Sequence, residues 1–196
     1  MLQIKAQLLR VGQTLCMTKS NPATQILYDW WQNRRGERAM PARAELDPVE
    51  LKSILPDLVL VDVRPMSGGG QGHAFTYRLA GTEIDSRFGI RLTGLTVEQL
   101  PFGDAGASIR QQYETAVREK RPVSCSHRVV VGGERYVEYE RLVVPLSGDG
   151  PDVVTALAAA VDFRCAFGID QGRPPYCSGQ VFCDRIDLCL GRSRHS

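Results

Sequence analysis

No stretch of this chain approaches the roughly 20 consecutive apolar residues that crossing a bilayer requires. Met1 to Arg10 also carries no long apolar core of the kind that directs secretion. A membrane span is therefore not predicted, and a cytoplasmic location is expected. Ile4, Leu8, Leu9 and Val11 could form one side of a short helix, which more often packs on its own domain or on a partner than on lipid. Charge of one sign is scarce as well: the formal net charge is +2 and the basic residues are scattered, so no nucleic-acid partner is expected. Histidine is rarer still, with three in the chain and none paired as in a zinc hydrolase. There is no phosphate-binding glycine loop and no nucleophile elbow. No catalytic residue is assigned, and the chain is expected not to be an enzyme; the competing reading of a small enzyme would use His127 with Glu138 or Glu140 as acid and base. Cys177, Cys183 and Cys189 recur at a regular spacing after Cys165, but structural zinc sites use pairs two to four residues apart, and only His195 lies nearby. Reduced thiols and no bound metal are the expectation.

What remains is the composition of an ordinary globular protein, 43% hydrophobic and 23% charged over 196 residues. A chain of that size buries roughly 70% of its unfolded surface. The reading is one domain over residues 21–163, preceded by an extension over 1–20 and followed by a tail over 164–196.

Asn21 and Pro22 form a helix start, with Asn21 as cap. Ile26, Leu27, Trp30 and Trp31 then share one side at helical spacing, and Gly36 is a stop. Asp47-Pro48-Val49-Glu50 repeats the start signal and predicts a second short helix through Leu55, with Glu50 reaching back to the cap. Asp57 to Val63 is a β-rich run bounded by Pro65 and the glycines at 68–70. Phe75, Tyr77 and Leu79 alternate with Thr76 and Arg78, predicting a half-buried strand. Gly81-Thr82 opens a short helix that Gly89 stops, Thr96 to Leu100 supplies another capped turn, and Asp104 to Lys120 is the longest helix of the domain, carrying Ile109, Tyr113, Ala116 and Val117 on one side. Three antiparallel strands follow, Val123 to Val131, Arg135 to Leu146 and Val153 to Phe163, separated by glycine turns. The class is α+β: a five-stranded antiparallel sheet with helices grouped over one face, an N-terminal helical extension, and a cavity beneath the helices.

That order, together with Leu27-Tyr28-Asp29-Trp30-Trp31, Leu55-Pro56-Asp57-Leu58, Tyr77-Arg78-Leu79-Ala80-Gly81-Thr82, Phe88-Gly89 and Leu92-Thr93-Gly94, resembles the PAS fold, and more closely the small stand-alone PAS proteins of alphaproteobacterial type. The resemblance runs from about Asn21 to Phe163. It implies a sheet cupping a pocket, a sensory or scaffolding role, and dimerisation through a helix that precedes the core. Light-sensing flavin relatives carry a reactive cysteine in an Asn-Cys-Arg segment, and this chain has no cysteine between Cys16 and Cys125. Haem-binding relatives supply a histidine from the helix before the third strand, and Asp104 to Lys120 contains none. No cofactor is therefore expected, and an unidentified small molecule is the anticipated ligand.

Tyr77, Phe88, Tyr113, His127, Tyr139 and Arg141 are the pocket candidates, with Arg141 suited to a carboxylate or phosphate. Arg78 is doubtful as a ligand contact, because strand alternation turns it away from Tyr77. His73 reads as a solvated loop residue. Ile26, Leu27, Trp30 and Trp31 are the candidates for a homodimer interface. The function expected is a non-catalytic sensory module acting through a small ligand or a regulatory protein partner, with a ligand-free structural adaptor as the alternative.

Overall fold

The computed structural model describes residues 22–66, 72–130, 135–148, 150 and 153–169. The readings on Met1 to Ser20, Asn21, Cys177, Cys183, Cys189 and His195 fall outside these residues. The first helix, α1 (Ala23–Arg35), follows Pro22 in extended conformation and ends at Gly36, whose φ of 55° suits a residue without a Cβ. Its first amides are satisfied by a side chain distant in sequence. The Asp162 carboxylate accepts from the backbone N–H of Ala23 at 2.7 Å and of Thr24 at 3.0 Å, and from the Thr24 hydroxyl at 2.6 Å. A carboxylate at this end also complements the helix dipole.

The predicted second helix over Asp47 to Leu55 is instead a chain of tight turns running into a 3-10 turn at Leu55–Asp57. Its amides reach back three residues rather than four, from Glu50 to Asp47 and from Ile54 to Leu51. Asp47 does act as a local cap, its carboxylate accepting from Val49 N–H at 2.9 Å. The Glu50 side chain does not reach back, because Trp30 Nε1 and Arg34 engage it from α1.

The strands are β1 (Leu58–Pro65), β2 (His73–Ala80), β3 (Val123–Val130), β4 (Arg135–Ser147) and β5 (Val154–Ile169). They form one antiparallel sheet in the order β2-β1-β5-β4-β3. Between β2 and β3 come α2 (Thr82–Phe88) and α3 (Asp104–Glu119), which cover the inner face. β5 continues six residues past Phe163, pairing Arg135 with Ile169, so the sheet extends into the segment assigned to the tail.

Alternation sorts β4 cleanly. Val137, Tyr139, Arg141 and Val143 point inward, while Leu142, Val144 and Leu146 point outward opposite Ala160, Ala158 and Ala156 of β5. Those alanines let α1 approach closely, and Trp31 Nε1 donates to the Pro145 carbonyl at 2.8 Å. The centre of β4 and β5 is thus covered on both faces, which is why its sequence reads as an almost unbroken apolar run.

In β2 the predicted alternation breaks after Tyr77. Leu60 pairs with Leu79 but Val61 pairs with Tyr77, so Arg78 is the extra residue of a bulge, and both Arg78 and Leu79 are exposed. Leu79 therefore does not share the buried face of Phe75 and Tyr77. The step at Leu55-Pro56 and the Gly81-Thr82 junction, far apart in sequence, meet in space. A Cβ on Gly81 would overlap the backbone of Leu55 and Pro56, and the Gly81 N–H donates to the Leu58 carbonyl at 2.8 Å. Only glycine fits that approach.

Candidate functional site

Beneath α2 and α3 the inner face of the sheet encloses a cavity of about 20 Å³. Tyr77 from β2, Phe88 from α2, Tyr113 from α3, and Tyr139 and Arg141 from β4 line it. A cavity that small has room for about one water molecule. Residues i and i+2 of a strand share a face, which brings Tyr139 and Arg141 together, and the helical position of Tyr113 sets its ring over the guanidinium at 5.0 Å. Phe88 meets Tyr139 edge-on at 5.4 Å between centroids. His127 does not line the cavity. It is buried one strand away, directly opposite Tyr139 in the β3–β4 register and stacked on it at 5.1 Å.

The residue that joins these groups, Gln112, was not among the sequence candidates. It lies on α3 beside Tyr113 and is 3% exposed. Its Nε2 donates to the carbonyls of Val123 at 2.9 Å and Arg141 at 3.1 Å, tying the helix to β3 and β4. Because both amide protons are engaged by carbonyls, Oε1 is the acceptor. It receives Arg141 Nε at 2.8 Å, Arg141 Nη2, and His127 Nε2 at 3.3 Å. His127 Nε2 must then carry the proton, which leaves Nδ1 as a bare, buried acceptor with no partner among the described residues. A polar residue at helical spacing from Ile109, Tyr113 and Ala116 on an apolar stripe is the signal that could have found Gln112.

The electrostatics are those of a buried positive charge. Arg141 is 4% exposed, and among the described residues no carboxylate lies within ion-pair distance of it. Burial opposes its charge, while Tyr113, Tyr139 and Tyr77 and then Cys125 favour it, and the balance lies above its ordinary value. Burial, then the charge on Arg141, push the His127 imidazole down to about 2, so it is neutral at every ordinary pH. The Tyr77 phenol is held well above its usual value, chiefly by burial and next by the charge interaction with Tyr113, whose hydroxyl lies 3.3 Å away.

The other candidates are placed elsewhere. Arg78 points to solvent. His73 is not a loop residue: it opens β2, its Nδ1 lies 2.8 Å from Glu114 Oε2, and its N–H donates to Glu114 Oε1 at 3.0 Å. Together with Arg110 and Lys120 it lines a wider, open cleft of about 800 Å³. Leu27, Trp30 and Trp31 are buried against the sheet of their own chain and Ile26 is half-buried, so in this conformation the helix face read as a dimer interface is already covered. Among the described residues no group of three or more His, Cys, Asp or Glu side chains is arranged to hold a metal ion. No described helix is long and apolar enough to cross a membrane.

A family model described as PAS domain matches residues 19–160, more than half of the chain. No curated protein matches it.

Proposed function

The chain belongs to the PAS domain family, whose members are generally non-catalytic sensory and signalling modules, and from that premise we propose that it is a cytoplasmic sensor reading a small ligand at the cavity under α3. One observation carries the reading. The centre of the core holds Arg141, Gln112 and His127 where apolar side chains would pack at lower free energy. A buried network of this kind is unfavourable unless every member is satisfied. Gln112 bridges α3 to β3 and β4, so a ligand that draws on Arg141 changes how firmly the helix is tied to the sheet. The output in this reading is a shift in a dimer or in a contact with a regulatory protein.

A second reading follows from the size of the cavity. With space for about one water, the core is nearly full, which favours a ligand-free adaptor acting through its surface alone. Native mass spectrometry of freshly purified protein, set against the denatured mass, separates the two. A discrete retained mass supports the sensor; a bare chain, together with no thermal shift across a ligand panel, supports the adaptor.

A further inference from the structure

Resting on the reading of the core cavity as a ligand site, we infer that its ligand is a small monovalent anion seated against the Arg141 guanidinium. Arg141 brings five N–H donors and a charge it cannot shed. Nε and Nη2 both go to Gln112 Oε1, an oxygen with two lone pairs that also faces His127 Nε2. The amide nitrogen of Gln112 is committed to two backbone carbonyls. His127 Nδ1, a bare acceptor, belongs to a residue that does not line the cavity. The guanidinium makes no hydrogen bond to a described residue other than Gln112, and the face of Tyr113 lies beside it at 5.0 Å.

The cavity supplies the missing place. Arg141, Tyr77 and Tyr113 all line it. The Tyr113 and Tyr77 hydroxyls lie 3.3 Å apart, and as one donates to the other, one phenol proton is left to act as a second donor beside the guanidinium. A water there provides an acceptor but no charge; an anion provides both. A cation is repelled by Arg141, and a dianion brings more charge than one guanidinium neutralises. A volume of about 20 Å³, room for about one water, excludes extended carboxylates and suits a monatomic halide, with nitrate and formate probing the upper limit of size. An anion bound here competes with Gln112 Oε1 for the guanidinium, which makes occupancy felt at the tie between α3 and the sheet.

The test uses the full chain at constant ionic strength, with sodium gluconate replaced stepwise by sodium chloride, bromide, nitrate or formate, and thermal unfolding as the readout. The result expected is a saturable rise in Tm with at least one small anion. Binding should weaken by about tenfold or more in Arg141→Met, and Arg141→Lys should retain part of it. Because Arg141→Met could fail to fold, bromide-soaked crystals of the unaltered protein give an independent answer. An anomalous peak in the cavity beside Arg141 supports the inference. The same unsaturable salt response in wild type and Arg141→Met, or a cavity holding water only, overturns it. If native mass spectrometry retains a neutral molecule that Arg141→Met binds equally well, the ligand-site reading stands and the anion falls; if nothing is retained and no anion acts, both fall.

Discussion

Gln112 is bound on every side, and this makes it the most informative single position. Replacing it with leucine keeps the bulk but orphans two carbonyls and the guanidinium at once, and removing the partner of a buried charge costs about 3–5 kcal/mol. Urea unfolding of Gln112→Leu should show a loss of that size. His127 gives a pH signature. Its folded value of about 2 lies far below the ordinary imidazole value, so the unfolded state binds the proton first and stability falls as pH drops below the unfolded value. Between pH 7 and pH 5 the loss from this group is about 2 kcal/mol. In His127→Gln that part of the slope should vanish from denaturation curves measured across the same range. At this scale the aromatic members of the site were legible because Tyr77, Tyr113 and Tyr139 obey simple strand and helix periods. Gln112 was not, because a polar residue on an apolar stripe reads as a lapse until its partners on β3 and β4 are seen. Arg78 followed the alternation rule away from the cavity, yet the bulge that also turned Leu79 outward left no mark in the sequence.

Among the elements, the junctions matter more than the helices and strands themselves. Gly81 stands at the start of α2 with the Leu55-Pro56 backbone pressed against it, and a methyl there has nowhere to go because the obstacle is main chain. Gly81→Ala should destabilise the protein by about 3 kcal/mol, measured by urea unfolding, through forced displacement of that turn. The cap of α1 is the other such junction. Removing the carboxylate in Asp162→Ala leaves the first amides of the helix without their acceptor, a loss of about 1–2 kcal/mol. Amide exchange in α1 should then quicken by about 5- to 30-fold, with the strands of the core unaffected. Element order was readable from glycine and proline punctuation and from apolar period. The Asp162 cap could not be read, since it joins residues 139 apart in sequence, and neither could the collapse of the Asp47 start signal into successive turns. A good cap and a proline specify where a helix can begin; the contacts that follow decide whether it does.

For the molecule as a whole, the question is which surface can meet a second copy. The sheet is covered on its inner face by α2 and α3 and, over β4 and β5, on its outer face by α1. A dimer built on the apolar side of α1 would have to expose the buried Trp30 and Trp31 and break the bond from Trp31 to the Pro145 carbonyl, and detaching one buried tryptophan alone costs about 3–5 kcal/mol. An interface that leaves α1 in place avoids that loss. The two tryptophans are the only ones in the chain, so its indole emission reports on α1 and nothing else. The prediction is a blue-shifted emission typical of buried indoles that stays constant on dilution, while native mass spectrometry over the same series follows the oligomeric state. If a dimer dissociates with the emission unchanged, its contacts lie away from the apolar face of α1. A red shift that tracks dissociation would instead mean that the helix is held by a partner copy, and that the docking of α1 on its own sheet belongs to the isolated chain.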